Sequence, residues 1–343
     1  MAITNPLRRG AMGIDLGTSN VLIHLADQGI VLREPTVAAV QKIKGVRRVI
    51  ATGEEARRMI GRATGDIQAI QPLLSGVIAD YEVTEIMLRH FVKKVMKDHK
   101  LALRPDVVIC APSGITPVER RAVEDVILKA GARNAVLVEE PLAAAIGAGL
   151  PIDEPKGVMI VDIGGGTTEV AVISMGSMVV SRNVRIGGMQ LDDHIVQYIR
   201  REKNVGISPA TAEELKIGLG SVYPVQAQSS VTVRGIDADL NLPTTVAVST
   251  QDIYLAIREP VRQIVEVIRS ALESAPPELL SDIMNRGVTI TGGSSLLLGL
   301  DVLIHEGTGL TVNVAEHPLD TVAAGAGKIA GDRKLYRTIS AIG

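Results

Sequence analysis

The sequence predicts an α/β protein made of two related halves. A short pattern occurs twice: Asp15-Leu16-Gly17-Thr18-Ser19-Asn20 near the start, and Asp162-Ile163-Gly164-Gly165-Gly166-Thr167-Thr168 near the middle. Each Asp closes an apolar run, and each glycine turn leads into a β-type run, Val21-Leu22-Ile23 or Val170-Ala171-Val172-Ile173. Elsewhere β-type runs alternate with amphipathic helical periodicity, the signature of α/β architecture. A polar break, Pro151-Ile152-Asp153-Glu154-Pro155-Lys156-Gly157, lies ahead of the second pattern and divides the chain into domains 1–150 and 151–343.

In chain order, strands are expected at 13–15, 21–25, 30–32, 37–40, 107–111, 135–138, 158–162, 169–174 and 177–180. Helices are expected at 83–97, 117–130, 141–149, 190–203, 209–219, 250–274 and 320–330. Pro117, Pro141 and Pro209 suit a first helical turn, where the missing N–H has no partner to lose. Ser208 and Thr250 read as N-caps. Residues 207–257 combine a helix with short strands at 231–234 and 246–248, an inserted subdomain of the second half.

The 343 residues suffice for two domains with real cores. With 46% hydrophobic and 22% charged residues the chain is globular, and a net charge of −2 provides no basic field for nucleic acid. No Trp, one Phe and five Tyr leave little for base stacking. Cys110, the only cysteine, lies in an apolar run and reads as a buried, inert thiol in a reducing cytoplasm. No apolar run is long enough to span a membrane, and Arg8-Arg9 have no apolar region behind them to make a signal peptide.

The repeated turns suit phosphate. Glycine lets the backbone come close to an anion, Thr and Ser add hydroxyl donors, and Asp can hold hydrated Mg²⁺. Two such hairpins facing each other would clamp a nucleoside triphosphate. A third glycine turn, Ile290-Thr291-Gly292-Gly293-Ser294-Ser295, ends a strand and is expected to open a helix, another phosphate-compatible terminus. A P-loop is excluded, because the single Gly-Lys pair, Gly327-Lys328, is followed by Ile329. A dinucleotide fingerprint is excluded too, because the glycine spacing at 162–168 is wrong and strand rather than helix follows.

Taken in order, these motifs resemble the actin-like ATPase superfamily, which includes actin, the ATPase domain of heat-shock chaperones and sugar kinases. Within it the sequence is similar to the bacterial cytoskeletal MreB family. The resemblance spans nearly the whole chain and rests on 13–20, 30–36, 112–121, 138–147, 162–170 and 291–295. It implies two duplicated RNase H-like domains, each with a smaller subdomain (about 33–80 and 207–257), and a nucleotide in the central cleft. It further implies hydrolysis of ATP (or GTP) with Mg²⁺, and antiparallel double filaments on the inner face of the cytoplasmic membrane. There the filaments would organise wall synthesis for rod shape, with proteins of the cell-wall elongation complex as partners. A small-molecule kinase, a chaperone-like ATPase and a plasmid-segregating actin are the alternatives within the same fold.

Residue roles follow from the resemblance. Asp15 and Asp162 would hold the Mg²⁺ water shell. Gly17, Thr18, Ser19 and Asn20 would meet the β- and γ-phosphates, and Gly164, Gly165, Gly166 and Thr167 would form the other phosphate loop. Glu140 would polarise the attacking water, with Asp15 and Asp162 helping to orient attack and Asp162 and Thr167 counted with Glu140 as catalytic; alternatively Glu140 is a helix-N-terminal acid favoured by the dipole. Glu213 and Lys216 share a helical face and would contact ribose and adenine, or else form a solvated ion pair. Gly292 and Gly293 would approach the base and sugar. Asp192 and Asp193 read as surface or cap groups. Leu101 and Leu103, flanked by Lys97, Lys100 and Arg104, suit an anionic lipid surface or pack into their own domain. The N-terminal segment has too little apolar face to add much.

Overall fold

Two five-stranded sheets share one strand order. In the first, Asn134–Glu139, Asp106–Ala111, Met12–Leu16, Asn20–Leu25 and Gly29–Pro35 lie side by side. In the second, the order is Val312–Val314, Val288–Thr291, Val158–Ile163, Thr168–Ser174 and Ser177–Val184. In both, the first three strands in sequence form an antiparallel meander, and two later strands join parallel to the first. The duplication expected from the glycine turns therefore extends to whole sheets. This computed structural model describes residues 10–43, 45–61, 66–101, 104–224 and 229–342.

The chain forms two compact units: one runs to Pro151 and resumes at Leu319, and the other is Ile152–Pro318. The second domain expected at 151–343 therefore loses its last segment, because helix Thr321–Gly331 packs against Glu140–Gly147 in the first unit. Small residues make that approach close. A Cβ at Gly325 would overlap the Ala143 carbonyl, and one at Gly147 would overlap that of Thr321. Lys328 Nζ donates to Ile146 O (3.1 Å) and Gly147 O (3.0 Å), a cation on the carbonyl end of the shorter helix.

Each unit has its own core. Met12, Ile14 and Leu16 meet Met87, Phe91 and Val95 of helix Tyr81–Asp98 and Val123, Val126 and Ile127 of Pro117–Ala130. Met159, Val161 and Ile163 meet Leu191, Ile195 and Ile199 of Gly188–Lys203 and Ile257, Val261 and Ile264 of Thr250–Glu273. Cys110 is buried in the first sheet. Two small three-stranded sheets occur: Ala38–Ile43 with Val46–Thr52 and Ile67–Ile70, inside the span expected at about 33–80, and Val205–Gly206 with Ser230–Asp237 and Pro243–Ser249, of which Val205–Gly206 precedes the span expected at 207–257.

Some local expectations are corrected. Ser208 caps its helix, accepting from Thr211 N at 3.1 Å, but the cap expected at Thr250 is Ser249, which accepts from Asp252 N at 3.2 Å. The helix expected at Ser294-Ser295 is a short 3₁₀ turn, Gly293–Leu296, and the α-helix starts at Leu300. Strand Val46–Thr52 and helices Pro277–Arg286 and Arg333–Ile342 add to the expected set.

Candidate functional site

In the first unit, the parallel strands end together. Asp15 is in register with Cys110, which is in register with Val138, so Asp15, Ala111-Pro112 and Glu139-Glu140 share the C-terminal edge of the sheet. That edge is where open α/β sheets place ligands. Gly17, Thr18 and Ser19 make the turn that closes the hairpin there. A Cβ at Gly17 would come within 2.7 Å of Asn20 O, so the turn needs glycine. Thr36 fastens it through Oγ1 to Gly17 O (2.7 Å) and N–H to Ser19 O (3.0 Å). Thr18 is buried, and its hydroxyl accepts from Gly76 N at 2.8 Å. Glu140 is buried as the first residue of Glu140–Gly147. Its neighbour Glu139 is half-buried; burial raises its carboxyl above the usual range, and Arg120 opposes this.

The second unit builds its loop more elaborately. Gly164 N donates to Thr167 O (2.9 Å), closing the turn. The carbonyls of Gly164 and Gly165 accept from Gly188 N (2.9 Å) and Met189 N (2.8 Å), so the loop itself caps helix Gly188–Lys203. A Cβ at Gly187 would lie 2.7 Å from Gly164 O. Gly166 is buried, and Thr167 is half-buried. Asp162 is 6% exposed, and burial pushes its carboxyl up to about 6. Glu169, opposite Asp162 in register, is also buried; an acid inside a β-run is the signal that marks it in the sequence. Gly292 has φ +83°, and a Cβ there would lie 2.5 Å from Asp162 Oδ1. The third glycine turn thus lies against the end of the Asp162 strand, while Gly293 is exposed.

The Glu213–Lys216 pairing does not form. Glu213 is exposed, whereas Lys216 Nζ donates to Gly188 O (2.8 Å) and Asp192 Oδ2 (3.0 Å) and lies 2.8 Å from Asp192 Oδ1. Asp192 is therefore no surface group; it is 7% exposed, and only Asp193 points outward. The signal was present: Asp192 is four residues after Gly188 and three before Ile195, on the buried stripe of its helix. Leu101 is half-buried against the first unit's core, while Leu103 and the N-terminal segment to Arg9 lie outside the described residues. No cluster of three or more His, Cys, Asp or Glu forms a metal site, and no helix is long and apolar enough to cross a membrane, among the described residues.

Residues 9–338 match the MreB/Mbl protein family. The chain is 49% identical to the cell shape-determining protein Mbl of Bacillus subtilis (strain 168) over 316 residues, covering 92% of this chain and 94% of that one. It is 48% identical to the cell shape-determining protein MreB of Escherichia coli (strain K12) over 319 residues, covering 92% of each. Crystal structures of MreB5 of Spiroplasma citri bound to ADP and to AMPPNP superpose with TM-scores of 0.89 and 0.88. Their identities are 35% and 34%; the alignments cover 96% and 97% of this chain and 98% and 99% of theirs. The MamK double helical filament shares the actin-like fold (TM-score 0.77, 21% identity, 94% of this chain and 98% of that one). With the family match covering almost its full length and relatives close to half identical, the chain belongs to the MreB/Mbl family.

Proposed function

We propose that this chain is an ATP-hydrolysing, filament-forming bacterial actin that assembles on the inner face of the cytoplasmic membrane and organises wall synthesis for rod shape. The observation that carries the reading is the duplicated loop: in each unit an acid stands one residue before the end of the central strand and a glycine turn follows that strand. Support comes from the relatives named for cell shape and from the related MreB5, seen with ADP and AMPPNP.

Gly17, Thr18, Ser19, Asn20 and Gly164, Gly165, Gly166, Thr167 bind phosphate oxygens, and Gly292 and Gly293 lie toward base and sugar. Asp162 suits Mg²⁺: a carboxyl held up by burial gains from a divalent cation beside it. Mg²⁺ takes few protein carboxylates and fills its shell with water and phosphate oxygens. Asp15 and Asp162 would hold it through water, and it would supply charge neutralisation on the phosphates. Glu140 orients the attacking water. This chemistry needs positioning and electrostatics rather than a covalent intermediate.

The test is electron microscopy of the purified protein with Mg-ATP on an anionic lipid monolayer, alongside phosphate release in solution. Paired filaments with phosphate release support the reading. Phosphate transfer to a sugar instead of water would favour the kinase alternative. Glu140→Ala should slow phosphate release by about 10²-fold, the scale of losing a positioned base, with nucleotide still bound. Unchanged turnover would remove Glu140 from the mechanism.

A further inference from the structure

We infer that Asp192 is the positioning residue for Lys216, holding its ammonium at the junction of the phosphate loop, the start of helix Gly188–Lys203 and the third glycine turn. The inference rests on the nucleotide reading above.

Three observations carry it. First, this ion pair is deeply placed: the side chains of Lys216 and Asp192 are 11% and 10% exposed, whereas the other ion pairs among the described residues have at least one partner far more open to solvent. Second, the ammonium stands where three functional segments converge. A Cβ at Gly188 would lie 3.1 Å from Lys216 Nζ and 3.2 Å from Ser294 Oγ, and Gly188 N donates to the Gly164 carbonyl. Third, the Lys216 ammonium sits against the start of helix Gly188–Lys203, the wrong end of that helix for a cation. The N-terminus of Gly188–Lys203 carries positive dipole character and repels an ammonium. Something must offset that repulsion, and Asp192 is the carboxylate in contact.

Gly188 O and Asp192 Oδ2 take two of the three ammonium N–H groups, so the third can meet an acceptor on a nucleotide. A lysine ordered before its ligand arrives has already lost its rotamer freedom, and affinity gains accordingly. Around Asp192 stand Lys216 and Glu213 from the insertion helix and Asp193 from its own helix. Burial pushes its carboxyl up to about 6 against the pull of Lys216, so at neutral pH the lysine faces a carboxylate.

The test measures Mg-ATP affinity by equilibrium binding and turnover by phosphate release at saturating ATP. It uses the full chain, Asp192→Asn, Asp192→Glu, Lys216→Ala and the Asp192→Asn/Lys216→Ala double variant, each checked for folding by circular dichroism. Asp192→Asn should weaken binding about tenfold with turnover within twofold, and Asp192→Glu should restore most of the affinity. The double variant should bind no worse than Lys216→Ala alone. Asp192→Asn binding as tightly as the unaltered chain, or effects that simply add in the double variant, would overturn the positioning role. Should Asp192→Asn not fold, Asp192→Glu and Lys216→Ala decide: unaltered affinity in Lys216→Ala overturns the role. An unaltered chain that does not bind Mg-ATP would instead overturn the nucleotide reading, and this inference with it.

Discussion

Asp162 shows how one buried carboxyl links site and stability. Its raised proton affinity means that the folded state binds a proton more tightly than the unfolded state. Stability of the nucleotide-free protein therefore falls as pH rises from about 4 to about 6, by on the order of 3 kcal/mol for this group. Asp192 shifts in the same direction. Asp162→Asn should melt higher than the unaltered protein at pH 7.5, lose part of that pH slope and lose phosphate release. Melting curves across pH 4–8 check this; an unchanged slope would show that burial of Asp162 is not its source. The glycine turns and Asp15 and Asp162 were legible here because backbone freedom and charge are written in residue type. The Lys216–Asp192 pair was not, because the partners are 24 positions apart and on different helices.

Among the elements, glycine has opposite consequences in two helices. Gly325 lies where a Cβ would overlap the Ala143 carbonyl, so Gly325→Ala should destabilise by about 1–3 kcal/mol or more, as overpacking does. Gly218, in helix Pro209–Leu219, has nothing within 4 Å of an added Cβ. Gly218→Ala should stabilise by about 0.5–1 kcal/mol through helix propensity alone. Urea titrations of both variants test the contrast, and equal signs would contradict it. Most elements could be read from periodicity and caps. Strand Val46–Thr52 could not: Arg47 and Arg48 interrupt its apolar pattern, and its place is set by pairing with Ala38–Ile43. The third glycine turn gives a further case. Helical continuation was expected after Gly293, but Leu297 turns to extended backbone and delays the helix to Leu300.

For the whole molecule, the lipid proposal depends on number. Full burial of one leucine gives about 1.5–3 kcal/mol, too little to hold a single copy on a membrane through Leu101 and Leu103. Many copies in a filament bind through avidity. Lipid association should therefore require assembly, and Leu101→Ser with Leu103→Ser should release filaments from anionic vesicles while phosphate release continues. Leu101 also packs on the first unit's core, so this variant should melt lower as well. Co-sedimentation with vesicles tests the first effect and thermal melting the second. Filaments that still bind vesicles would exclude this loop as the lipid contact.

Residue type and local periodicity alone determined the α/β class, the duplicated strand–glycine turn–strand units and most helices, because a turn, a cap or an apolar stripe needs only neighbouring residues. Tertiary structure alone decided two things: that the chain from Leu319 returns to the first unit, and that Lys216 pairs with Asp192 instead of Glu213. Each of these is a contact between distant segments. It is set by which surfaces can exclude water together, and small residues at 143–147 and 321–327 let two helices meet that are far apart in the chain.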